Sequence, residues 1–166
     1  MPPVSYLFRL AKTLCVGSIG LMMLIIVIGN TTDYFSNYQF VEHVLKMDSI
    51  FPDSQLHYRS LNSPILSNTT YIAIIITEAL ASFCCIRGFL FLFKNLKSDA
   101  VSFHASKNWA VAGLILGILL WFLGFEVIGG EWFAMWQSAR YNGLAAAERV
   151  LIFLMLTLIL LQIRDE

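Results

Sequence analysis

Residues 109–129 read WAVAGLILGILLWFLGFEVIG, a run of 21 residues whose one charged group is Glu126. A helix rises about 1.5 Å per residue, so this run matches the roughly 30 Å hydrocarbon core of a bilayer. Lipid offers the backbone no hydrogen-bond partner, and a long apolar segment of this kind therefore has to be a helix. Three further stretches share its character, at 13–29, 70–93 and 144–163. The fold class that follows is all-α, a four-transmembrane-helix bundle forming a single membrane domain over 1–166. Composition agrees, with 58% hydrophobic and only 13% charged residues, against roughly 25% charged in an average soluble domain. Eleven basic and eleven acidic residues cancel to a net charge of zero, which leaves no global field to draw nucleic acid.

Charge placement gives an orientation. Arg9, Lys12, Lys94, Lys97, Lys107 and Arg164 fall on one side of the spans, and Lys46, Arg59 and Arg140 on the other. The bias toward the first side puts both termini of this multi-pass protein in the cytoplasm. The first span follows Arg9 and Lys12 as a signal peptide would, but it runs into Asn30, Thr31, Thr32 and Asp33 without a small-residue cleavage site, so it is read as an uncleaved anchor.

The outer loop, 30–69, is too long and too apolar for a plain tether. Ser36 and Gln39 have the spacing of a capping box, and Phe40, Val41, Val44, Leu45 and Met47 recur at helical intervals. A short amphipathic helix over about 37–48 is expected, with Glu42 and Lys46 as an i,i+4 ion pair and Pro52 beyond its end. Between the third and fourth spans, residues 129–143 carry Trp132, Trp136 and Tyr141 between glycines, which reads as an interfacial helix in the aromatic belt.

Ionisable residues inside spans are functional candidates by default, because a charge at a helix centre costs about 2.5–3.5 kcal/mol on insertion scales. Glu78 is the deepest acid, and Arg87, nine residues on, falls on the opposite helix face. Glu78, Glu126, Glu148 and Arg149 are expected to form one polar cluster in the outer leaflet. Such a cluster would serve either as a proton or cation relay or as a fixed ion-pair network, and the absence of polar residues across the other half of the membrane favours the network. Small residues form two stripes, Gly113 and Gly117 in the third span and Thr77, Ala81, Cys85 and Gly88 in the second. Either stripe allows close helix approach. Asp33, His43, Asp48, Glu131, Trp132, Trp136, Gly113 and Gly117 are the candidate interface residues toward a membrane-protein partner or a second copy.

Enzyme signatures such as HExxH, a Walker loop, GxSxG or a paired CxxC do not occur, and neither catalysis, a cofactor nor a metal is expected. His43 and Met47 lie one turn apart near Asp48, but the second histidine or carboxylate at ligand spacing is missing. Cys15, Cys84 and Cys85 sit inside apolar runs, and Cys84 and Cys85 read as small packing residues. What remains is a non-enzymatic accessory or scaffold subunit of a membrane complex, with the bilayer as its first partner; the alternative is a small oligomeric transporter or channel that uses the outer acidic cluster for protons or cations.

The run Thr32-Asp33-Tyr34 with Asn37, Phe40, Val41, His43, Val44, Leu45, Met47 and Asp48, then Glu78, then Gly130-Glu131 with Met135, Trp136, Gln137, Ser138, Asn142 and Gly143, resembles a bacterial family of predicted small integral membrane proteins. The resemblance implies four spans in an inner membrane and a periplasmic outer loop, and it implies no activity.

Overall fold

A computed structural model describes residues 3–165. Among them the chain is helical with no strand. Helix α1 spans Val4–Thr32, α2 Tyr34–Lys46, α3 Pro64–Lys94, α4 Ala100–Ala105, α5 Asn108–Ile118 and α6 Leu144–Gln162. From Leu119 to Trp132 the helix begun by α5 continues as a π-helix, its last bond running from the Phe133 amide to the Ile128 carbonyl at 3.0 Å. Four helices are long and apolar enough to cross a membrane: Val4–Thr32, Pro64–Lys94, Ala100–Trp132 and Leu144–Gln162. Both chain ends lie at one end of this bundle, called here the terminal end; α2 and residues 133–143 cover the other, the loop end.

The helices overrun the apolar stretches. α1 begins nine residues before the expected 13 and ends at Thr32, because Arg9, Lys12 and Asn30 are polar without being helix breakers. α3 begins at Pro64, where Ser63 accepts the Leu66 amide at 3.3 Å and proline occupies a position that needs no donor. Asp33 alone separates α1 from α2, so the outer helix starts at Tyr34 rather than near 37, and neither the expected capping box nor any other side-chain cap closes its N-terminus. Glu42 and Lys46 pair at 3.0 Å as expected. The hydrogen bond from Lys46 holds Glu42 below its ordinary carboxylate range. The interfacial helix expected over 129–143 does not form. A left-handed turn at Ala134 (φ 51°) breaks the chain after Trp132, and only Met135–Gln137 makes a single 3₁₀ turn.

The two small-residue stripes pack on each other. A Cβ on Gly113 would fall 2.6 Å from the Cys85 sulfur and 2.8 Å from the Ala81 carbonyl; one on Gly88 would fall 2.5 Å from the Ala110 nitrogen. α3 and α5 therefore meet backbone to backbone. Gly117 is also internal, against Met23 and Leu154. Gly113 and Gly117, expected as a surface for a partner, are covered by the chain's own helices.

The terminal end holds a feature that span counting hides. Arg9, Lys12 and Lys107 fall outside the apolar stretches by their charge, yet all three are buried, Lys12 completely. Asp165 sits between the lysines, with Oδ1 2.5 Å from Lys12 Nζ and Oδ2 bonded to Lys107 Nζ. The lysines also donate to the carbonyls of Ile163 and Leu161, and Arg9 donates to the carbonyls of Ser98 (2.6 Å) and Asp165 (2.9 Å). Burial pushes the Asp165 carboxyl up, but the hydrogen bonds and charges of Lys107 and Lys12 overcome it and hold the group below the ordinary range. A carboxyl depressed in the folded state stabilises the fold above its unfolded value, about 3.9, and loses that contribution as pH falls through the folded value. Thermal unfolding of the detergent-solubilised protein should therefore show a Tm insensitive to this group from pH 7 to about 5 and falling below about pH 4. The Asp165→Asn variant should lack that component of the acid limb.

Candidate functional site

Glu78 lies on the face of α3 that also carries Tyr71 and Ile74, since seven and four residues return a helix to nearly the same side. That face points into the bundle, and Glu78 is only 2% exposed. Its carboxylate accepts one hydrogen bond, from Asn30 Nδ2 at 2.7 Å, and among the described residues no basic side chain pairs with it. Asn30 is itself held by its backbone, whose carbonyl accepts from the Tyr71 hydroxyl at 2.8 Å. A buried carboxylate with one amide donor and no counter-charge requires a proton or a cation beside it.

The space for one is present. Glu78, Asn30, Asn37 and Tyr71 line a chamber of about 250 Å³ together with the rings of Phe40, Trp121 and Phe125. The Trp121 indole N–H is buried with no acceptor among the described residues. Aromatic faces and a carboxylate converging on one cavity attract positive charge, the rings through their quadrupoles and the acid directly. On the far side of Glu78, toward the terminal end, Met23, Ala81, Cys85, Leu114 and Leu154 fill the bundle, each 1% exposed or less. The chamber is a dead end.

α2 forms its roof. Phe40 reaches over Gly143, where a Cβ would lie 3.1 Å from the ring, and the His43 ring stacks on Tyr141 at 4.2 Å while its Nδ1 bonds Asp48 at 2.8 Å. The outer loops are tied across this roof. Leu61 donates its amide to the Leu45 carbonyl at 2.8 Å, Ser49 and Ser138 share a bond of 2.8 Å, and Arg59 donates to the Trp132 carbonyl at 3.2 Å.

The expected cluster of Glu78, Glu126, Glu148 and Arg149 is distributed differently. Glu148 and Arg149 are exposed on α6, and neither touches Glu78. Glu126 is half-buried within electrostatic reach of Glu148 and Glu131, with Oε1 buried and unpartnered. Its orientation could not follow from the 100° rule, since the π-helix advances by a smaller angle per residue from Leu119 onward. Asp33 and Asp48 are exposed, and so is Glu131, whose carbonyl accepts from Arg59 at 3.4 Å. Trp132 and Trp136 are 52% and 50% exposed on either side of the Ala134 turn, Trp132 beneath the Arg59 guanidinium and Trp136 edge-on to Phe51. Sequence reasoning missed Asn30, Asn37, Tyr71 and Trp121. The one legible sign was the Tyr71–Glu78 spacing, two turns on a single face.

No curated protein and no solved structure matches the chain. The family described as predicted small integral membrane protein (DUF2165) matches residues 8–164, and with four membrane-length helices across that span the chain belongs to this family.

Proposed function

We propose that this is a non-enzymatic membrane protein that binds a cation in the loop-end chamber, with Glu78 as the counter-charge. The observation that carries this is a fully buried carboxylate facing a cavity, bonded only to Asn30 and opposed by no lysine or arginine among the described residues. The apolar packing beyond Glu78 favours binding over conduction. By the basic bias of its segments, the protein sits in the inner membrane with both termini in the cytoplasm, which opens the chamber to the outer side. A role as accessory subunit of a membrane complex is supported by Trp132 and Trp136, two large rings half exposed at the same end as the chamber roof. Asp33, His43, Asp48 and Glu131 would rim that docking surface.

Methylammonium titrated into the protein in phosphatidylcholine nanodiscs, followed by calorimetry, tests the cation site. Glu78→Gln keeps the acceptor for Asn30 and removes the charge, so its affinity should fall at least about tenfold while the Tm holds or rises. Equal binding by both proteins, or none by the wild type, would overturn the proposal.

A further inference from the structure

A second chamber adjoins the first. It holds about 140 Å³ and is lined by apolar side chains and glycines, with Thr70 the one polar residue on its wall. Phe40, Val41, Ile74 and Phe125 line both chambers, so a carboxylate-bearing space and an apolar one meet at these four side chains. An engineered apolar cavity of about 150 Å³ accepts benzene, so the second space is the size of a single ring or a short alkyl chain. α2, α3 and the π-helix meet here, and the lining glycines, Gly124 and Gly129, keep the space open.

We infer that the ligand of this protein is an amphiphilic organic cation, an amine whose ammonium group pairs with Glu78 and whose apolar group occupies the second chamber between α2 and the π-helix. The inference rests on the cation site proposed above. An inorganic ion would use the first chamber and make no contact with the second. A neutral apolar molecule would occupy the second chamber alone and make no use of the Glu78 carboxylate. An amine with an attached ring or chain meets both demands, with the Phe40 and Phe125 rings packed along its middle.

Three probes in nanodiscs decide this, with titrations into protein-free nanodiscs subtracted: methylammonium, 3-phenylpropylammonium and the neutral 3-phenylpropanol. The phenylpropyl cation should bind at least about tenfold more tightly than methylammonium, because its ring leaves water for an apolar chamber, and the alcohol should bind at least about tenfold more weakly than the phenylpropyl cation. Gly124 allows a chamber-filling variant, since a Cβ there meets only Leu120 Cδ1 at 3.7 Å. Gly124→Leu should reduce the phenylpropyl cation to the affinity of methylammonium and leave methylammonium unchanged. Val44→Phe, filling the same space from α2, should do the same and covers the case in which the first variant fails to fold. Equal affinities for the two cations, or a phenylpropyl preference that survives both fillings, would overturn the amphiphile while leaving the Glu78 site standing. Loss of all cation binding in the wild type, or full binding by Glu78→Gln, would overturn both.

Discussion

Asp165→Asn is expected to destabilise the folded protein by about 3–5 kcal/mol, the largest effect of any single substitution at the terminal end. Among the described residues the carboxylate is the sole acid bonded to the buried ammonium groups of Lys12 and Lys107. Asparagine keeps the size and an acceptor oxygen but leaves two charges uncompensated in a closed site. Chemical unfolding in mixed micelles should show the loss, and the terminal segment should become accessible to protease. Removing the charges together is expected to behave differently. In Lys12→Met/Lys107→Met/Asp165→Leu the ion-paired groups are gone and Arg9 keeps its bonds to backbone carbonyls, so stability should return to within about 1–2 kcal/mol of the wild type or exceed it. A triple variant as unstable as Asp165→Asn would show that the lysines' contacts to the carbonyls of Ile163 and Leu161, rather than the charge balance, hold this end together.

The second large effect is expected where α3 and α5 touch. Gly88→Ala and Gly113→Ala each place a methyl group within 2.8 Å of backbone atoms of the facing helix, which has no rotamer with which to yield. The cost should be about 1–3 kcal/mol from overpacking, against a gain of at most about 1 kcal/mol in helix propensity. Gly29→Ala supplies the contrast, because nothing lies within 4 Å of its added Cβ, and this variant should be neutral or slightly stabilising. If all three variants unfold alike, close helix approach is not what the two stripes contribute.

The spans were legible because a membrane imposes one structural solution on an apolar run of sufficient length. Their ends were not, since Arg9 and Lys12 extend a helix as readily as leucine does when Asp165 waits to receive them. The small-residue stripes were legible as sites of close approach, and which surface they meet was not. Gly113 and Gly88 could have packed on another chain, and only the three-dimensional pairing of α3 with α5 assigns them to the interior. The expected grouping of Glu126 with Glu78 was not legible, because the π-helix from Leu119 changes the angle between residues. The chamber was the least legible feature. Glu78 announced itself by depth, but Asn30 lies 48 residues away, and its identity as the partner of Glu78 depends on how α1 and α3 are aligned.

The position of Asp165 also sets an order of events during synthesis. Lys12 is made 153 residues and Lys107 58 residues before the carboxylate that neutralises them. While α1, α3 and α5 enter the membrane, both ammonium groups must stay at the aqueous boundary or borrow counter-ions from lipid headgroups. Only when residue 165 has been made can they withdraw into the protein. The ion-paired end of the bundle is thus a lock that engages only after residue 165 has been made, and a nascent bundle halted before that point presents two unsheathed lysines.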